Sequence, residues 1–152
     1  MVEAVLRSMP LFAALPSSEL EALARALHVV NHAAGAQLFR EGEANDRFSI
    51  VASGEVEITR TVESNTERVL QVLRPGDYFG EMSLLFADSR RSASGRARTP
   101  LALLELPRSE FAGLLERRPA LAVEILRNVV ERLRNTENAV IADLRAMNQR
   151  LL

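Results

Sequence analysis

Residues 79–94 read FGEMSLLFADSRRSAS, and a glycine, a carboxylate and two adjacent arginines stand there at spacings that suit an anionic ligand. Gly80 lets the backbone pass close to a bound group, and the residues after it can present amide N–H groups. Glu81 precedes Arg90 and Arg91 by about ten positions. Arginine brings a planar fork that matches a phosphodiester, amides at the start of a short helical turn add donors, and a carboxylate accepts from a ribose hydroxyl. Each feature is common alone. Together they outline a cradle for phosphate and sugar.

The elements around this stretch must hold it in place. From residue 35 to 106 short β-segments alternate with Gly, Asn and Asp. Residues 38–40 run into a turn at Glu41-Gly42-Glu43, Phe48, Ile50 and Ala52 alternate, Ser53-Gly54 makes a hairpin turn, and Val56 and Ile58 alternate again. Residues 69–73 form the next strand, closed by Pro75-Gly76-Asp77, and strands near 92–97 and at 101–106 follow. Many short strands flanked by helices predict a mainly β fold, a small sandwich or jelly-roll barrel. Ahead of it, Pro10 and Pro16 break up an initial helical segment. A clearer helix then starts at a capping box of Ser18 and Glu21 and carries Leu20, Leu23, Ala24 and Leu27 on one face. His28 and His32 lie at its end, four residues apart. That spacing suits a metal on a helix, yet no carboxylate or third imidazole stands near, so no metal site is assigned.

Composition narrows the classes further. The chain has 152 residues, 47% hydrophobic and 26% charged, enough to bury one good core and hardly two. A net charge of -1 gives no general reason to expect nucleic acid or a membrane surface as a partner. All 19 basic residues are Arg, which fits a GC-rich coding bias better than selection for bidentate contacts. Without cysteine there is neither a disulfide nor a thiolate metal site. No run reaches the length of a membrane span, and a cytoplasmic location is expected.

Residues 79–84, with Arg91-Ser92-Ala93 as the close, resemble the phosphate-binding cassette of the cyclic nucleotide-binding domain family. The resemblance widens through Gly35-Ala-Gln-Leu-Phe-Arg-Glu-Gly-Glu43, Asp46, Phe48-Ser-Ile-Val51, Ser53-Gly54-Glu-Val56 and Pro75-Gly76-Asp77, and it covers most of the chain. It implies a double-stranded β-helix, or jelly-roll barrel, with a helical N-terminal segment and a long C-terminal helix. It also implies that Glu81 accepts the ribose 2′-hydroxyl and that Gly80 faces the ligand. Met82 and Ser83 would offer amides to the phosphate, and Ile58 and Leu73 would line the base. Spacing from Glu81 allows either arginine as the phosphate partner. The Arg91-Ser92-Ala93 context, followed by Arg96-Ala97, resembles the catabolite activator branch of the family and points to Arg91, with Arg90 facing solvent. Where the family often has proline before this arginine, this chain has Ser89 and Arg90. Thr136, within Arg132-Leu-Arg-Asn-Thr-Glu137, matches a helix residue that reaches the purine. Each of these residues also has an ordinary reading, as a turn, surface or barrel-core position.

After Leu106-Pro107 a short helix is expected over residues 109–115, and Pro119 suits the first turn of a long one. From residue 120 to 152 there is neither Gly nor Pro. Such a helix reaches about 50 Å at ~1.5 Å per residue, beyond the roughly 35 Å width of a domain this size, so part of it projects or lies along a partner. Leu126, Val130, Leu133, Glu137, Val140, Leu144, Met147 and Leu151 step by four and three, a coiled-coil seam with one charged break. The expected organisation is therefore a barrel with its helices over residues 1–118 and a dimerisation and signalling helix over 119–152. A cyclic nucleotide sensor is expected, with cAMP as ligand and cGMP the alternative. It would have no catalytic residue, no metal and no cofactor, would form a parallel homodimer, and would act on an effector beyond the sequence. A helix-turn-helix would have to follow Leu152 for direct DNA binding. The rivals are a ligand-free dimerisation module of the same fold, which Glu81 and Arg91 speak against, and a cupin-like metal enzyme, which would need clustered His and carboxylates on facing strands.

Overall fold

The computed structural model describes residues 2–13, 15–62, 66–80, 88–120, 122–123, 126–127, 130–131, 134 and 144–148. Contacts divide the chain into two units, Met1–Leu114 and Leu115–Leu152.

The first unit opens with three helices, α1 (Val2–Ser8), α2 (Pro10–Ala13) and α3 (Ser17–Ala26). Leu6, Met9, Phe12, Leu20 and Leu23 are buried, so the two prolines divide the segment without removing its apolar face. Helix α3 begins two residues earlier than its sequence suggests. Pro16 holds the N-cap with an extended backbone and no side-chain cap bond, and its carbonyl accepts from the amides of Glu19 and Leu20. Ser18 is thereby inside the helix, and the expected Ser18–Glu21 capping box does not form.

Helix α3 passes into a strand with only Leu27, in extended conformation, between them. That strand, β1 (His28–His32), contains both histidines, so they are not at a helix end and belong to the β-fold itself. Four residues along a strand separate them by about 13 Å, too far to share a metal. The remaining strands are β2 (Gln37–Phe39), β3 (Arg47–Ser53), β4 (Val56–Val62), β5 (Thr66–Leu73), β6 (Tyr78–Phe79), β7 (Ser94–Ala97) and β8 (Leu101–Pro107), and α4 (Arg108–Arg117) follows. They form two antiparallel four-stranded sheets, ordered β1-β8-β3-β6 and β2-β7-β4-β5. This is the expected mainly β roll, with two strands, β1 and β6, beyond the expected six.

Alternation explains which residues lie between the sheets. Val51 stands opposite Leu103, and both join Leu101, Phe79, Phe39, Val56, Leu73 and Ala97 in one core drawn from both sheets. The other face of the β3 sheet is also covered. Phe48 stacks on Phe111 of α4 with ring centroids 4.4 Å apart and leans on Tyr78 at 5.5 Å. Phe48 to Val51 is accordingly buried on both sides, Ser49 included, so the strand lacks the polar outer face of a half-buried one.

In the second unit Arg118 breaks the helix after α4, the described residues from 119 onward are helical, and Ala122 N–H donates to the carbonyl of Arg118 at 3.3 Å. Of the expected seam, Leu126, Val130, Leu144 and Met147 are exposed. Leu133, Glu137, Val140 and Leu151 lie outside the described residues.

Candidate functional site

Strand β6 pairs with β3 through Phe79 opposite Ser49 and Tyr78 opposite Ile50, which carries the next residue, Gly80, against the backbone of Arg47. Gly80 has φ +92°, and a β-carbon there would run into the Arg47 carbonyl oxygen. Both facts demand glycine. Gly80 is a point of close backbone approach, and what it approaches here is the protein's own chain.

Residues 89–91 are tied down by a ladder to residues 42–45. The amide of Asn45 donates to Ser89 O at 3.1 Å, the amide of Arg91 to Glu43 O at 2.8 Å, and the amide of Gly42 to Arg91 O at 2.8 Å. Ala44 and Arg90 form the bridge between these segments. Because successive side chains in such a ladder point opposite ways, the two arginines part company. Arg90 is exposed, its Nη1 donating to the Gly42 carbonyl at 3.2 Å, whereas Arg91 is only 7% exposed.

The Arg91 guanidinium lies over the ring of Phe39, 4.4 Å from its centroid, with the Phe79 ring at 5.9 Å. Its Nε is buried and has no hydrogen-bond partner among the described residues. Burial pushes its pKa down, the neighbouring Arg47 pushes the same way, and Asp46, Glu105 and Glu43 oppose them. Arg47 is in turn held by Glu105 at 3.4 Å and Asp46 at 3.6 Å. Those three residues, with His28 and Pro107, line a cavity of about 270 Å³. Arg91 is not in the wall of that cavity, which carries two carboxylates; what suits an anion is the buried guanidinium itself, with its Nε–H unpartnered among the described residues.

Leu73 belongs to the core that contains Phe39 and Phe79, and Ile58 packs against it half-buried. Ala93 is buried beyond Arg91, while Ser92 is exposed. Glu81, Met82, Ser83 and Thr136 lie outside the described residues. Sequence reasoning missed Phe39, Phe79, Arg47 and Glu105 as neighbours of Arg91. An aromatic in a strand reads as core, and the pairings that assemble the four come from distant parts of the chain. No group of His, Asp and Glu able to hold a metal occurs among the described residues. Nor is any helix among them long and apolar enough to cross a membrane.

Comparison with known proteins agrees with this geometry. Residues 29–118 match the family described as cyclic nucleotide-binding domain. The chain is 32% identical over 143 residues to a CRP-like cAMP-activated global transcriptional regulator of Mycobacterium tuberculosis, covering 94% of this chain and 63% of that protein. It therefore spans less than two thirds of that relative's length. Among solved structures, the N-terminal domain of a transcriptional regulator from Streptomyces coelicolor A3(2) is 39% identical, with a TM-score of 0.71, over 89% of this chain and 96% of the other. The catabolite activator protein of Thermus thermophilus is 34% identical, with a TM-score of 0.78, over 86% of this chain and 61% of the other. The chain belongs to the cyclic nucleotide-binding domain family, whose members are regulatory rather than catalytic.

Proposed function

We propose that this domain binds a cyclic nucleotide, cAMP in preference to cGMP, and passes its occupancy on through the C-terminal helix. The observation that carries the reading is Arg91, a buried guanidinium with Nε unpartnered among the described residues and a backbone held on both sides. In this reading Arg91 meets the cyclic phosphate, Gly80 and the amides of Met82, Ser83 and Ala93 surround it, Glu81 takes the ribose hydroxyl, and Ser92 stands at the base edge. Ile58 and Leu73 form the apolar wall, and Thr136 reaches the base from the helix. The relative from Mycobacterium tuberculosis is named as cAMP-activated, which supports cAMP as the first ligand to try.

The output belongs to residues 119–152, and the barrel with its helices to 1–118. Exposed Leu126, Val130, Leu144 and Met147 on the helical stretch support a homodimer formed through that helix. The effector is a separate domain or protein; neither nucleic acid nor a membrane is a direct partner of this domain. Calorimetric titration of the purified protein with cAMP, cGMP and non-cyclic 5′-AMP tests the reading. Saturable binding of cAMP, weaker binding of cGMP and none of 5′-AMP is expected. Absence of binding by both cyclic nucleotides would reduce the domain to a ligand-free dimerisation module.

A further inference from the structure

A guanidinium has two flat faces that make no hydrogen bonds and an edge that carries its five N–H donors. At Arg91 the guanidinium lies over a ring face. The carbon at the centre of the guanidinium sits 4.4 Å from the Phe39 centroid, and the tilted Phe79 ring, 5.4 Å from Phe39 and at 37° to it, stands at 5.9 Å. The Nε–H donor, buried and unpartnered among the described residues, is left for something else.

The Phe39 ring is itself seated by its surroundings. It stands opposite Gly95 across the β2–β7 pairing. A β-carbon at Gly95 would come within 2.5 Å of the ring's Cζ and closer still to Cε1, so the ring occupies the room that a side chain at Gly95 would take. Beside it, the Gln37 side-chain Nε2 donates to the carbonyls of Phe39 at 2.8 Å and Gly95 at 3.0 Å, pinning both strands at this point. Glycine at 95 is not required by a left-handed backbone; the ring requires it.

We propose that Phe39, seated on Gly95, is a positioning residue for the ligand site: its ring holds the Arg91 guanidinium in place while the site is empty, leaving the donor edge free for the incoming anion. This rests on the reading of Arg91 as the phosphate partner. The physical case is that a buried cation needs compensation, and a ring face supplies it without consuming a donor. An acidic partner would hold the cation more strongly but would occupy the edge and compete with the ligand. Removing the ring lets the guanidinium leave for solvent, and apparent affinity then falls by the fraction of molecules in which it has left. For a desolvated contact of this kind the loss is about tenfold to thirtyfold.

The test replaces Phe39 in the whole chain by 4-fluoro-, 3,5-difluoro- and 3,4,5-trifluorophenylalanine. These keep the shape of the ring while draining its face of negative charge. Affinity for cAMP is expected to fall step by step along the series, with Phe39→Leu at the low end and Phe39→Tyr close to the original. A flat series with intact folding would overturn the proposal, because a ring that only fills space is indifferent to fluorine. A second reading needs no ligand. In the empty protein the Arg91 Nε–H proton, identified by its loss in Arg91→Lys, is expected upfield of an ordinary arginine through the ring current of Phe39. It should return to the ordinary position in Phe39→Leu and stay upfield in Phe39→Tyr. Should the protein bind neither cAMP nor cGMP, the ligand assignment fails, and the proton shift alone decides whether Phe39 holds Arg91. An unshifted proton in the empty protein overturns the proposal whatever the ligand.

Discussion

The space that a β-carbon at Gly80 would need is occupied by the carbonyl oxygen of Arg47. The contact joins the end of β6 to the start of β3, the strand that also brings Arg47 into the surroundings of Arg91. Gly80→Ala must strain a positive φ and push two backbones apart. A loss of about 1–3 kcal/mol is expected in urea unfolding of the ligand-free protein, the range for a forced backbone conformation. An unchanged midpoint and slope would show that the two backbones part without cost.

Arg91 and Arg90 are neighbours in sequence and opposites in setting. Truncating a buried partner of a charged ligand costs about 2–5 kcal/mol, or roughly thirtyfold to several thousandfold in affinity, against about 0–1 kcal/mol for an exposed charge. Arg91→Ala should lose cAMP binding by the larger amount in calorimetry and Arg90→Ala by the smaller. Equal losses would return the assignment to the ambiguity that spacing alone leaves.

The burial of Arg91 comes at the expense of stability. Burial lowers its pKa, so the folded protein disfavours the charged form relative to the unfolded chain. For a cation this means that stability rises with pH only between the lowered folded value and the unfolded one, and the penalty persists at all pH values below both. Arg91→Met keeps the apolar stem against Phe39 and removes the charge. Thermal unfolding of the ligand-free variant is expected to show stability unchanged or raised by about 1 kcal/mol, with cAMP no longer shifting the midpoint. A loss greater than about 1 kcal/mol would mean that the ring contact outweighs the cost of burial.

The homodimer carries its own test. In the seam, Glu137 would place like charges face to face across a parallel dimer, beside Thr136, the residue assigned to the base. A ligand biases two arrangements of a helix only by its differential affinity for them. Glu137→Leu should tighten the dimer in analytical ultracentrifugation and reduce the ligand-dependent change in distance between spin labels at Val140. A protein that stays monomeric at micromolar concentration, or a distance in the unsubstituted protein that ignores cAMP, would refute the switch.

Most of the barrel could be read from alternation and turns. Phe48 to Val51 and the Pro75-Gly76-Asp77 turn lie where the pattern placed them, since a short strand and a tight turn each leave a local mark. Ser53-Gly54 is a turn as expected but closes no hairpin: β3 and β4 on either side of it belong to different sheets, and a local turn signal does not say which strands will pair. Strand β1 escaped because it does not alternate cleanly. It follows a helix with no turn residue between, and three of its five residues are exposed. The capping box failed for a similar reason, as Pro16 took the cap that Ser18 was expected to fill. At the site, Gly80 and the pair Arg90 and Arg91 were legible as residue types. The choice of Phe39 as the neighbour of Arg91 was not. It depends on the register of β2 against β7, and pairing across 56 positions between Phe39 and Gly95 leaves no trace in either segment alone.

The ladder between residues 42–45 and 89–91 has a consequence for what this fold tolerates. Arg91 is held by backbone bonds to Gly42 and Glu43, so its placement draws on main-chain groups and not on the side chains of that segment. Every residue but proline supplies both an amide and a carbonyl. Side chains at 43–45 can therefore change, by evolution or by an engineer's choice, while Arg91 stays on the same registered anchor, whereas proline at 42 or 91 would remove an amide that the ladder uses.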